Sequence, residues 1–284
     1  MNLSPAQLKG RIKNLAKKNH SDARILIRIY MMERFLERVS VSRYKDKFII
    51  KGGILVTSLI GVALRSTMDI DTTIKNLNLS AEDIEFSIKE ICSIDLQDDI
   101  TFQIKQLSHI MDEMEYPGIR ITINAFLGKM PVPMKLDIST GDVITPREIQ
   151  YQYKLLLEDR SIPLWSYNLE TLLAEKLQTV LSRGTFNTRM RDFYDLHELF
   201  HVYHDKISPA ILKDAFQATC IKRKTPSLLT TGTQILATLQ QDSNLSVLWG
   251  SYQKKYSYAF DISYLDVIKS TTALWQRIAD YKKS

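Results

Sequence analysis

The stretch from Phe48 to Asp71 constrains this chain more than any other. Phe48-Ile49-Ile50 is a short apolar run ending in Lys51-Gly52-Gly53, and an apolar segment from Ile54 to Leu64 follows. That order predicts a buried strand, a glycine turn and a helix. Met68-Asp69-Ile70-Asp71 then alternates with the two-residue period of a strand, so both carboxylates fall on one face. Glycines permit close backbone approach and open a helix N-terminus, a seat for phosphate. Paired carboxylates repel each other unless a hard cation such as Mg²⁺ lies between them. Lys135-Leu136-Asp137-Ile138 is a second apolar–Asp–apolar strand able to supply a third carboxylate. Three converging carboxylates beside a glycine turn suit two-metal phosphoryl or nucleotidyl transfer.

A competing motif lies further on. His197-Glu198-Leu199-Phe200-His201 is a literal H-E-x-x-H, which on a helix can hold zinc with the glutamate as a peptidase base. Such a site needs a third ligand, usually a glutamate or a third histidine, and no glutamate follows Glu198, which leaves only an aspartate for that place. The extended pattern also fails, with His204 where Gly is required and Ile207 where the third His belongs. On the helical wheel of 189–204, Phe193, Leu196, Phe200 and Tyr203 form the apolar stripe, the two histidines lie at its edge, and Arg189 and Asp192 fall inside it. The pattern is expected to be accidental.

Elsewhere, Ser4-Pro5 and Ser21-Asp22 open helices, the second running to about Val39. Ser80 with Asp83 caps a helix to about Cys92. Thr101–Leu107, Gly118–Leu127 and Met134–Thr140 read as strands, and from Asn168 nearly everything reads as helix, broken at Gly184 and Ser208-Pro209. The expectation is an α+β part over residues 1–160 and a mostly helical part over 161–284.

Charge is unevenly placed. Residues 1–28 carry seven Lys/Arg and one Asp, and residues 205–284 carry eleven against six, so the centre is acidic within a net +6. Such basic ends suit an anionic polymer. The longest uncharged apolar run, Gly52–Leu64, has 13 residues, too short to span a bilayer. Two distant cysteines, Cys92 and Cys220, and a polar N-terminus carrying Pro5 point to a cytoplasmic protein with reduced thiols and no membrane partner.

The order strand–GG–helix–D-x-D–L-D-I resembles the polymerase-β-like nucleotidyltransferase superfamily. Two segments sharpen this, KGGILVTSLIGVALRSTMDIDTTI and AEKLQTVLSRGTFNTRMRDFYDLHEL. Together they are similar to the AbiEii/AbiGii nucleotidyltransferase toxins of bacterial abortive-infection and MenT-type toxin–antitoxin systems. The resemblance implies a nucleotidyltransferase-fold mixed sheet with flanking helices, followed by a helical part contributing Lys and Asp site residues. It implies a toxin that moves a nucleotide from an NTP to an RNA 3′ end, most plausibly a tRNA acceptor, blocking translation with Mg²⁺ or Mn²⁺ as cofactor. A cognate antitoxin and an antiviral role come with it. Carried onto this sequence, Gly52 and Gly53 seat the triphosphate with Arg65, Ser66 and Thr67. Asp69 and Asp71 bind metal, with Asp137 as the superfamily's third carboxylate, and Lys176 with Asp192 or Asp195 completes the site.

Lys176 supports this locally. It sits within the stripe Leu169, Leu172, Leu173 and Val180, so its charge needs a carboxylate or phosphate partner. Arg189 and Asp192 can pair with each other, and Arg65 can meet a phosphate or cap the preceding helix. A nucleotidyltransferase acting on a small molecule and a non-catalytic RNA-binding module are the rival readings.

Overall fold

The structure is a computed structural model that describes residues 3–75, 80–110 and 118–282. The chain divides into two compact units. The first comprises residues 1–142 and 149–166, and the second comprises 143–148 and 167–284.

The first unit is built on seven strands: β1 Phe48–Lys51, β2 Asp69–Ile74, β3 Ile100–Ile110, β4 Gly118–Leu127, β5 Met130–Thr140, β6 Ile149–Lys154 and β7 Ser161–Ser166. They form one sheet in the order β3-β4-β5-β2-β1-β7-β6. Strand β2 runs parallel to β5 and antiparallel to β1, and β1 is parallel to β7, so the sheet is mixed. Four helices accompany it: α1 Pro5–Lys18, α2 Ala23–Val41, α3 Gly52–Ile60 and α4 Ala81–Ser93.

Alternation along the strands gives the sheet two unlike faces. Ile70 and Ile74 of β2, Ile119, Ile121 and Ile123 of β4, and Leu136 and Ile138 of β5 are buried on one side, where α2 and α4 pack. The intervening residues, Asp69, Asp71, Arg120, Lys135 and Asp137, stand on the other side. The apolar core thus fixes which face carries the charges.

Helix α2 is anchored by buried ion pairs. Arg38 makes a bidentate bond to Asp98 (3.0 and 2.7 Å) and donates to the carbonyls of Ile94 and Ile100. Arg34 pairs with Glu37 and Glu158. Glu33 accepts the Leu156 amide at 3.0 Å on both oxygens, and burial pushes its pKa up to about 8.

The second unit holds α5 Leu169–Arg183, α6 Met190–Tyr203, α7 Pro209–Lys222, α8 Leu228–Gln241, α9 Ser243–Lys255 and α10 Tyr264–Ala279. Asn168 caps α5 and binds the carbonyls of Thr145 and Arg147, which ties segment 143–148 to this unit.

Three local expectations shift. Helix α3 starts two residues earlier than expected and stops at Ile60, because Gly61 adopts φ +93°, where the chain leaves the helix. Strands β6 and β7 are additional to the expected set, and β7 places residues 161–166 with the first unit rather than after a break at 160. Pro163 hides β7 in the sequence. It is tolerated because β1 pairs only with Trp165 and Ser166, beyond the proline.

Glu33 generates a testable consequence. An acid whose pKa is raised by folding binds more protons in the native state, so it costs stability as pH rises from its ordinary range towards 8. Glu33→Gln keeps an acceptor for Leu156 and removes that cost. Thermal melts should show the variant gaining stability over wild type between pH 5 and pH 8, and parallel pH profiles would refute the assignment.

Candidate active site

On the polar face of the sheet, register lines up four charges. Lys51 on β1 stands opposite Asp71 on β2, Asp71 opposite Asp137 on β5, and Asp137 opposite Arg120 on β4. Directly paired residues share a face, so cation, anion, anion and cation form one row across four strands. Asp69 lies one pleat further along β2, opposite Lys135.

The two outer cations are engaged. Arg120 grips Asp137 bidentately, Nε to Oδ1 and one terminal nitrogen to Oδ2, both at 2.8 Å. Lys51 is buried and donates to Ser139 Oγ at 2.8 Å and to the Asp142 carboxylate. Burial pushes the Asp142 carboxyl up, but the Lys51 ammonium and the Ser139 hydroxyl bring it below the ordinary range.

The inner carboxylates are less well compensated. Burial raises Asp69 above the usual carboxylate range, and the charges of Asp71 and Asp137 add to the effect. Burial likewise raises Asp71, opposed by the Gly53 amide and reinforced by Asp137. Gly53 N–H donates to Asp71 Oδ2 at 2.9 Å, whereas the Asp69 carboxylate accepts no hydrogen bond among the described residues.

Both glycines are dictated by this packing. Gly52 has φ +55°, and a Cβ there would lie 2.3 Å from Asp71 Oδ2. A Cβ on Gly53 would lie 2.6 Å from Thr67 Oγ1 and 2.8 Å from the Arg65 guanidinium. Arg65 itself is buried and donates to the Gly53 carbonyl (2.8 Å) and Thr57 Oγ1 (3.2 Å). It therefore braces the first turn of α3. Thr67 donates to the Asp69 carbonyl at 3.2 Å, and Ser66 lends its carbonyl to Arg65 at 3.3 Å. These contacts make Arg65, Ser66 and Thr67 a frame for the glycine turn and β2.

The fit to a divalent ion follows from the donor set. Among the described residues no three metal-ligating side chains cluster as a complete cage. Asp137, expected as the third carboxylate, has both oxygens bound by Arg120. Mg²⁺, however, is commonly held by one or two carboxylates together with water and substrate phosphates. Asp69 and Asp71, close, oxygen-bearing and short of positive charge, fit that pattern.

In the helical unit a second charged group assembles. Lys176 is buried and donates to Asp192 Oδ1 (3.0 Å) and Asp195 Oδ2 (2.6 Å). Arg189 pairs with the other Asp192 oxygen at 2.8 Å. Lys176 thus finds carboxylates, as its place among leucines requires. Both candidate aspartates, Asp192 and Asp195, share this lysine.

Among the described residues the H-E-x-x-H histidines are not part of a cluster of three metal-ligating side chains. The His197 and His201 rings lie against each other, tilted by 43°, with centroids 4.2 Å apart. His197 lies 2.9 Å from Ser270 Oγ and is buried, contrary to the rim position expected from the wheel, because α10 packs on α6 there. Burial lowers its pKa, with His201 adding to the shift.

Sequence reasoning missed Lys51, Arg120, Ser139 and Asp142. Lys51 and Arg120 are distant in sequence from the aspartates they flank and join them only through strand register.

A family model described as nucleotidyl transferase AbiEii toxin, type IV TA system, matches residues 34–271. The fold is also similar to the crystal structure of JHP933 from Helicobacter pylori, with 15% identity over 90% of this chain and 92% of that one and a TM-score of 0.49. An antigenic nucleotidyltransferase-like protein from Paracoccidioides brasiliensis aligns over 81% of this chain and 94% of its own, at 14% identity and a TM-score of 0.34. No curated protein matches the sequence.

Two consequences can be measured. Asp69→Asn removes one of two mutually repelling, burial-raised carboxylates, so its melting temperature in chelator should equal or exceed that of wild type. Wild type should gain stability on adding Mn²⁺ and the variant should not; an equal gain in both would remove Asp69 from the metal set. Lys176→Met leaves two buried carboxylates without their shared cation and should cost about 3–5 kcal/mol. Adding Asp192→Asn and Asp195→Asn should recover most of that loss in denaturant melts. A Lys176→Met protein as stable as wild type would contradict the pairing.

Proposed function

The chain belongs to the AbiEii family of nucleotidyltransferase toxins of type IV toxin–antitoxin systems, and from that premise we propose that it transfers a nucleotide from an NTP to an RNA 3′ end, most plausibly a tRNA acceptor, in the cytoplasm. The carrying observation is the Asp69–Asp71 pair, which lies on a polar sheet face beside a glycine turn with its negative charge under-compensated. Membership also implies a cognate antitoxin. Among the described residues no helix is long and apolar enough to cross a membrane.

In this reading a ribose 3′-hydroxyl oxygen attacks the α-phosphorus of the NTP. The bond to the bridging oxygen breaks, pyrophosphate leaves with the electron pair, and the hydroxyl proton passes to solvent or a neighbouring base. Asp69 and Asp71 would hold Mg²⁺ or Mn²⁺, which when bound offsets phosphate charge and lowers the pKa of the attacking hydroxyl. Gly53 N–H keeps Asp71 oriented through its 2.9 Å bond. Gly52, lacking a side chain, leaves the Asp71 carboxylate uncovered. Arg120 keeps Asp137 fixed and adds positive charge at the border of the acidic group. Lys176 with Asp192 and Asp195 is carried over from the family resemblance as the remaining part of the machinery.

Incubating the protein with each of four α-³²P-labelled NTPs and total tRNA tests the proposal. Label from one preferred NTP should enter tRNA in the presence of Mg²⁺, and Asp71→Asn should reduce incorporation by at least a hundredfold. Label appearing only in small-molecule products would exclude an RNA acceptor.

A further inference from the structure

Helix α1 lies outside the segment 34–271 that the family model matches. Its 14 residues carry Lys9, Arg11, Lys13, Lys17 and Lys18 and no acid. All five cations are exposed. The helix is firmly built: Ser4 and Gln7 form a reciprocal capping box, Pro5 sits in the first turn, and Leu8, Ile12 and Ala16 are buried. α1 packs against α2.

The cations are ordered by the helix period. Lys9, Lys13 and Lys17 run four residues apart along one flank of the buried ridge, and Arg11 and Lys18 occupy the other. Like charges at that spacing weaken a helix, and among the described residues none of the three lysines forms an ion pair. Each step of the row rises about 6 Å along the axis, comparable to the separation of successive phosphates on an RNA strand. On the opposite flank, Arg11 and Lys18 join Lys154 along a cleft of about 500 Å³. The cleft also contains the acids Glu158, whose charge is matched by Arg34 and Arg160, and Asp159, so the Lys9–Lys13–Lys17 flank is the more uniformly basic one.

We infer that α1 is a docking surface for an RNA phosphodiester backbone, with the Lys9–Lys13–Lys17 row following one strand. This rests on the RNA-acceptor reading above and gives it a location. At the other basic end one cation is spent on structure. Arg223 is largely buried and binds Gln178 Oε1 and Thr179 Oγ1, so it fastens α7 to α5.

The test compares wild type with a Lys9→Gln/Lys13→Gln/Lys17→Gln variant. Glutamine matches lysine in helix propensity, so the fold and melting temperature should be retained. Binding of fluorescently labelled bulk tRNA is followed by anisotropy from 50 to 300 mM KCl. Losing three phosphate contacts should lower the magnitude of the log Kd–log salt slope by about 2–3, and affinity at 100 mM should fall at least tenfold. Mn²⁺-induced stabilisation should be unchanged. If the variant binds tRNA with the wild-type slope, the assignment to α1 is overturned while the RNA reading stands. If wild type itself binds no RNA at any salt, the RNA reading falls and this inference with it. A variant that keeps tRNA binding but loses binding to poly-glutamate would reassign the helix to an acidic protein partner.

Discussion

The direct opposition of Asp71 and Asp137 on adjacent parallel strands is the constraint around which the first unit is arranged. Like charges facing each other across a strand pair destabilise a sheet. Here the cost is offset from both sides. Arg120 takes Asp137 through a bidentate grip, and Lys51 lends its field to Asp71 while bonding Ser139 and Asp142. The glycine turn fits the same requirement. Gly52 and Gly53 have no side chains because Asp71, Thr67 and Arg65 occupy that space. Asp69, opposite Lys135, and Asp71 both stay above the usual carboxylate range, so this pair is the least compensated part of the row.

The helical unit solves a related problem differently. One buried ammonium, Lys176, serves two buried carboxylates, and Arg189 shares the excess. Removing Lys176 leaves two buried carboxylates without their shared cation, which makes the group strict about that residue. The neighbouring histidines are part of the same helix but of different physics. His197 is a packed residue held against Ser270, and His201 bonds the carbonyl one turn back. Among the described residues the two histidines and the glutamate of α6 do not gather with a further ligating side chain into a metal cluster.

What could be read from the sequence was what depends on local periodicity. Asp69 and Asp71 share a face because a strand has period two. Lys176 stands out because a helix of leucines has no place for an unpaired charge. Arg120 and Lys51 could not be read this way, since their partners are set by the register of strands far apart in the chain. The Arg120 grip on Asp137 was equally hidden, because the strand of Asp137 says nothing about its neighbour across the sheet. Strand β7 was hidden by Pro163, whose tolerance depends on how far β1 extends. Arg65 was divided between phosphate and helix, and its bond to the Gly53 carbonyl depends on packing that the sequence does not display. His197 seemed peripheral because the wheel of α6 contains no information about α10.

The central claim is that Asp69 and Asp71 form the cation site of a nucleotidyl-transfer centre. Anomalous diffraction from crystals grown with Mn²⁺ and a non-hydrolysable NTP addresses it most directly. The expected result is a manganese peak with one oxygen of each aspartate at about 2.1 Å, phosphate and water oxygens completing the shell, and Asp137 still held by Arg120. A peak at His197 and His201 instead, with Asp69 and Asp71 bare, would contradict the account.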